Sequence, residues 1–238
     1  MSAKLAAMPR FAFLLIVFAF PTGTPPGLNS IIHGLEARYH RASSLKATFY
    51  EQYSDGKGVG PAESGTVYFS KPGRMRWEYE SPEQKLFIVD GTNVWFYIPA
   101  DHTASRAKIG ESSDWRTPLA FLTGKANLTR LCRSIEVVDP KTDANSAENP
   151  SAPGNTVLRC VPRAASGDTG EEIRDVLLEA NPEAYLVRIV IEQPGNLSTE
   201  FRFGNWEENV AIPEAKFHFA PPAGVTIVDE ANLAGAIR

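Results

Sequence analysis

Hydrophobic and polar residues alternate with a period of two through residues 64–99, SGTVYFSKPGRMRWEYESPEQKLFIVDGTNVWFYIP. The alternation breaks only at Lys-Pro-Gly, Ser-Pro-Glu and Asp-Gly, so it predicts four successive strands over 66–70, 74–79, 85–89 and 93–98. At the third turn Gly91 follows Asp90, where a tight hairpin needs the positive φ that glycine tolerates. In the second strand Met75, Trp77 and Tyr79 share one face, opposite Arg74, Arg76 and Glu78. In the fourth, Trp95 and Tyr97 oppose Val94, Phe96 and Ile98, so both faces carry apolar bulk. Such a meander must cover its aromatic surface, either permanently or with something that lifts.

The flanking pattern supplies covers and further strands. Ile31, Ile32, Leu35 and Tyr39 recur at helical spacing, which predicts an amphipathic helix over 28–44 capped by Asn29 or Ser30. A strand over 45–53 follows, with Leu45, Ala47 and Phe49 on one face. Residues 101–109 read as a polar edge. Residues 115–122 then gather Leu119, Ala120, Phe121 and Leu122 behind Pro118, a short apolar helix that Gly124 ends. A second helical turn is predicted over 127–131, with Asn127 as cap. Strands resume over 132–138, 156–161, 173–179, 185–192, 198–206 and 216–219, interrupted by a polar loop at 139–155. In the strand 185–192, Tyr185, Val187, Ile189 and Ile191 are expected on one face. The predicted fold is mainly β (α+β): a strongly curved antiparallel sheet forming an incomplete β-barrel, covered by the N-terminal helix and a short helical lid.

Residues 1–23 read as a secretory signal, with Lys4 and Arg10 ahead of the apolar run FAFLLIVFAF. That run is too short to span a bilayer comfortably; a retained anchor is the alternative. One domain over 28–238 remains, long enough for a sizeable core. The net charge of −4 becomes more acidic once Lys4 and Arg10 leave. Without a basic block, nucleic acid is not an expected partner. The only cysteines are Cys132 and Cys160. In an exported protein two thiols favour a disulfide, which the chain-entropy model values at about 3–4 kcal/mol; two unpaired core thiols are the alternative.

Catalytic patterns are absent. His33, His40, His102 and His218 are dispersed, no G-x-S-x-G elbow or phosphate loop occurs, and no ligand spacing suggests a metal. The expectation is a protein that is not an enzyme and needs no cofactor. What remains is apolar shape. Trp77, Phe87, Trp95, Tyr97, Phe201 and Trp206 on a curved sheet, under Leu119, Phe121 and Leu122, could line a pocket for alkyl chains; an ordinary aromatic core is the alternative.

The run KPGRMRWEY, then FIVDG and VWFY, resembles the periplasmic lipoprotein carrier of the Lol pathway, the LolA family. LKATFYEQYSDGKG, SSDWRTPLAFL and AKFHFAPPAGVTIVDE extend the resemblance in the family's order, whereas 132–212 is similar in strand pattern only. The resemblance implies a monomeric periplasmic chaperone that holds lipoprotein acyl chains in a hydrophobic cavity. It implies loading by an inner-membrane ABC-type exporter and delivery to an outer-membrane receptor. Met75 stands where the family has a cavity-facing apolar residue. Lys71 stands where the family often has an arginine that bonds the lid backbone, so a lysine latch lacks the planar five-donor fork. A carrier of another lipid or glycolipid, or a lipoprotein-sensing regulator, fits the same fold.

Overall fold

The computed structural model describes residues 27–109, 122, 127–139, 151–163 and 173–229. The predicted signal, most of the predicted lid and most of the polar loop after 139 lie outside the described residues. Among them the chain forms helix α1 (Leu28–Arg41) and a short helix α2 (Leu128–Leu131). The first half of the sheet is β1 (Ser44–Ser54), β2 (Glu63–Ser70), β3 (Arg74–Ser81), β4 (Lys85–Val89), β5 (Asn93–Ile98) and β6 (Thr103–Lys108). The second half is β7 (Cys132–Val138), β8 (Thr156–Pro162), β9 (Asp175–Ala180), β10 (Leu186–Gln193), β11 (Leu197–Glu208) and β12 (Thr226–Asp229). Together they make one twelve-stranded sheet in the order β12-β6-β5-β4-β3-β2-β1-β11-β10-β9-β8-β7, whose outer strands β12 and β7 do not pair with each other.

Every neighbouring pair is antiparallel except β12–β6. The sheet curls toward one face. Trp77 on β3 lies 5.6 Å from Phe201 and 6.0 Å from Phe203 on β11, ring centre to ring centre. These strands are three places apart, and neighbouring strands in a flat sheet are separated by about 4.8 Å. α1 lies against the concave face with Ile32, Leu35 and Tyr39 buried, so its apolar stripe joins the strand side chains in one continuous core.

The central meander forms as its pattern predicts. Asp90 closes the β4–β5 turn with its carboxylate accepting from the Thr92 and Asn93 amides at 2.8 and 2.7 Å, and Gly91 takes φ +105. Elsewhere the structure corrects the pattern. α1 ends at Arg41 because Ala42 turns extended, and its N-cap is Gly27 without a side-chain bond, not Asn29 or Ser30. The polar stretch after Ile98 is a true strand, β6. Its buried side chains are all small, Ala104, Ser105 and Ala107, and leave little hydrophobic signal. Residues 214–217 form a 3-10 turn instead of the expected strand, and β12 lies further on, pairing parallel to β6. Ile189 and Ile191 reach the main core as expected, but a bulge between Leu186 and Arg188 shifts the register and puts Leu186 there in place of Tyr185 and Val187. The Leu186 amide freed by the bulge donates to the Tyr39 hydroxyl at 2.8 Å, and its carbonyl accepts from Trp206 Nε1 at 2.8 Å.

Cys132 and Cys160 are joined as a disulfide, with a Cα–Cα distance of 5.4 Å, tying the edge strand β7 to β8.

Gly65 sits at another register shift, where β2 and β3 approach so closely that an added Cβ would lie 1.8 Å from the Glu78 carbonyl oxygen. Gly65→Ala must therefore push two backbones apart. We expect a loss of about 1–3 kcal/mol in a denaturant melt. Gly58→Ala, with nothing within 4 Å of the new methyl, should stay within about 0.5 kcal/mol. Equal stability of the two variants would contradict the close approach.

Candidate functional site

Period-two alternation selects what reaches the concave face. Cross-strand register places Trp77, Phe87 and Phe96 in line across β3, β4 and β5, and puts Ile88, Trp95 and Arg106 in line on the other side. Met75, Trp77, Phe87, Phe201 and Leu122 all belong to the single buried cluster of the concave face. Leu119 and Phe121 lie outside the described residues.

Trp77 is the centre of this face. Phe49 packs edge-on against it at 4.7 Å, and Phe69 does so at 6.2 Å. Trp206 extends the band through Phe203 at 5.5 Å and Phe69 at 6.5 Å. Edge-to-face and offset pairs of this kind are favourable beyond their burial. Phe49, Phe69, Phe203 and Tyr39 are not among the predicted cavity residues, although Phe49 shares the face of Leu45 and Ala47 that the alternation displays.

Trp95 and Tyr97 are corrected. They lie on the convex face, where Phe219 packs against them at 5.3 and 5.2 Å. Trp95 Nε1 donates to Asp90 Oδ2 at 3.2 Å, and the Arg106 guanidinium stands 5.4 Å from its ring centre. Both faces of β5 are apolar, and the inward set is Val94, Phe96 and Ile98.

One end of the concave face is polar. Glu51 continues the inward series after Phe49 and is buried, with Glu63 directly across the ladder. The Tyr79 hydroxyl donates to Glu51 Oε2 at 2.7 Å, and Lys85 Nζ donates to Glu63 Oε1. Burial pushes the Glu51 carboxyl up to about 7 from 4.5; the Tyr79 bond opposes this, Glu63 adds to it and Lys85 counters it. Burial likewise raises the Tyr79 hydroxyl well above its usual range. The sequence signal for this cluster is a lone acid on an apolar strand face.

At the other end, Lys71 does not reach lid backbone among the described residues. Its Nζ donates to the His40 carbonyl, in the last turn of α1, where carbonyls lack helical partners and a cation is favourable. Its amide donates to the Ser43 carbonyl at 3.1 Å. Partial burial lowers the ammonium pKa. Beside it lies a small cavity of about 10 Å³, room for about one water, lined by Tyr39, Ala42, Leu45, Phe69, Lys71 and Leu122. That is below the roughly 300–1,000 Å³ of most ligand pockets. It marks the seam between the end of α1 and the β2–β3 turn.

Among the described residues no group of three His, Cys, Asp or Glu is placed to hold a metal, and no helix is long and apolar enough to cross a membrane.

Comparison with known proteins places this geometry. The family model "Outer membrane lipoprotein carrier protein LolA" matches residues 40–220. An outer-membrane lipoprotein carrier protein of Dechloromonas aromatica (strain RCB) is 31% identical over 188 residues, covering 79% of this chain and 82% of the relative. One from Nitrosospira multiformis is 25% identical over 226 residues, covering 93% of this chain and 98% of the relative. Among solved structures, an uncharacterized conserved protein from Thermus thermophilus superposes with a TM-score of 0.51 at 12% identity. The match covers 85% of this chain and 98% of that one, a likeness of fold alone.

Glu51 supplies a test of the concave face's polarity. Because its folded pKa lies above the unfolded value, the stability it contributes is complete below 4.5 and is lost as pH rises through about 7. Glu51→Gln keeps the shape and an acceptor for Tyr79 without ionising. The melting temperature of Glu51→Gln relative to wild type should rise by several degrees between about pH 5 and about pH 8. A difference independent of pH would show that Glu51 is not buried against Tyr79.

Proposed function

The chain belongs to the LolA family of outer membrane lipoprotein carrier proteins, and from that premise we propose that it is a periplasmic carrier of lipoproteins. It holds their acyl chains against the concave aromatic band and releases them to an acceptor. The observation that carries this reading is the band itself: Trp77 surrounded by Phe49, Phe69, Phe201 and Phe203 on the curled face of a sheet that does not close. An acyl chain in water gains about 0.8 kcal/mol per CH₂ buried, so crossing an aqueous space requires an apolar container. Family membership supports export by removal of the leader at residues 1–23, loading by an inner-membrane ABC-type exporter and delivery to an outer-membrane receptor.

Met75, Trp77, Phe87 and Phe201 line the container in this reading, and Leu119 and Phe121 join Leu122 in covering it. Lys71 acts at the seam, holding the β2–β3 turn to the end of α1 beside Leu122. In the empty protein, closure of the aromatic face on itself competes with the chain, so binding shifts an existing equilibrium between closed and open forms. The same competition allows release. The carrier's own residues need no metal or nucleotide for this exchange.

A fluorescent fatty-acid probe bound to the purified protein tests the reading. A diacylated lipopeptide should displace the probe and the unacylated peptide should not. Phe201→Glu places a carboxylate among aromatic rings and should weaken the probe about tenfold or more. Tyr97→Ala, on the convex face, should change affinity less than about twofold. Equal losses in the two variants, or displacement by the unacylated peptide, would contradict the proposal. Displacement by a glycolipid in place of the lipopeptide would reassign the cargo.

A further inference from the structure

The ring at the centre of the concave face carries a polar atom that the protein does not satisfy. Trp77 is 2% exposed, and its Nε1–H is buried without a hydrogen-bond partner. The other two indoles among the described residues are served: Trp95 donates to Asp90 at 3.2 Å and Trp206 to the Leu186 carbonyl at 2.8 Å. Around Trp77 stand Phe49 at 4.7 Å, Phe201 at 5.6 Å, Phe203 at 6.0 Å and Phe69 at 6.2 Å. Ring faces are weak acceptors at best. The nearest polar side chain along the same strand face, Tyr79, commits its hydroxyl to Glu51 at 2.7 Å. Buried donors are paired in nearly all folded proteins, because an unmade bond leaves the full desolvation penalty in place.

Resting on the carrier reading above, we infer that the Trp77 indole N–H is the recognition point for the acyl carbonyl of the cargo. An ester or amide oxygen enters the aromatic band, accepts this hydrogen bond and fixes how deeply the chain is seated. Burial of methylenes rewards any alkyl chain equally. The indole does not, because an alkane has no oxygen to offer and an ether oxygen is a poorer acceptor than a carbonyl. The site therefore selects acyl esters and amides over ethers of equal chain length. One net hydrogen bond that also relieves a buried, unpaired donor corresponds to roughly three- to tenfold in affinity.

The test uses a matched pair, a decanoyl glycerol ester and a decyl glycerol ether, titrated calorimetrically into the full-length mature protein and into Trp77→Phe. Wild type should prefer the ester by roughly three- to tenfold. In Trp77→Phe, which keeps an aromatic ring without the donor, the ester-to-ether affinity ratio should fall to about one whatever the variant's absolute affinity for either lipid. Wild type without a preference, or a variant that retains one, overturns the inference while leaving the carrier reading intact. Failure of wild type to bind either lipid overturns both. Should Trp77→Phe not fold, the wild-type indole ¹H–¹⁵N resonance of Trp77 decides: it should move downfield with the ester and not with the ether. Equal movement with both overturns the inference.

Discussion

An open sheet with apolar side chains on both faces must cover each of them, and this chain covers the two by different means. The convex face of β2–β5 is closed by the segment after β11, which is pinned by directional bonds. Arg76 donates to the Lys216 carbonyl at 2.9 Å, Lys216 pairs with Glu78 at 3.0 Å and Arg74 with Glu214 at 2.8 Å. Phe217 is buried beneath this lattice and Phe219 covers Trp95 and Tyr97. Burial alone would raise the Glu78 carboxyl, but the bonds from Lys216 and Arg76 hold it low, as expected for a carboxylate that stays charged and paired.

The concave face is held differently. α1 and the strands meet there chiefly through ring and aliphatic contacts, with a few bonds such as Tyr39 to the Leu186 amide and Glu36 to the Leu128 amide at 2.9 Å. Apolar contact is non-directional and can be exchanged for contact with an alkyl chain at little net cost. A surface fixed by geometry on one side and by apolar contact on the other can open on the second side without losing the first. The polar ends bound that surface: Glu51, Tyr79, Glu63 and Lys85 at one end, and Lys71 on the last turn of α1 at the other.

Much of this is legible in the chain. The four strands of the meander, the face shared by Met75, Trp77 and Tyr79, the helix ahead of them and the open antiparallel sheet follow from period and turn chemistry. The rest fails for identifiable reasons. Trp95 and Tyr97 read as inward because aromatics outrank Val94 and Ile98 in apparent importance, yet β5 is apolar on both faces and only register to Phe87 decides. β6 hides behind alanines, and β12 is wholly exposed, so neither shows a buried alternation. The bulge at Leu186–Arg188 leaves Ile189 and Ile191 facing the core as alternation predicts but brings Leu186 there in place of Tyr185 and Val187, because alternation has no memory of an inserted residue. The Lys71 latch implied by the resemblance is a separate matter: the predicted lid lies almost wholly outside the described residues, and among them Lys71 Nζ donates to the helix carbonyl of His40.

The central claim is that the face around Trp77 is cargo space and the face around Trp95 is permanent packing. A lipopeptide bearing a photoreactive diazirine near the end of one acyl chain tests it directly, with adducts mapped by mass spectrometry after irradiation of the purified complex. The predicted result is labelling of Phe49, Trp77, Phe87 and Phe201, suppressed by excess unlabelled lipopeptide. Labelling concentrated on Trp95, Tyr97 or Phe219, or adducts that excess lipopeptide does not suppress, would contradict it.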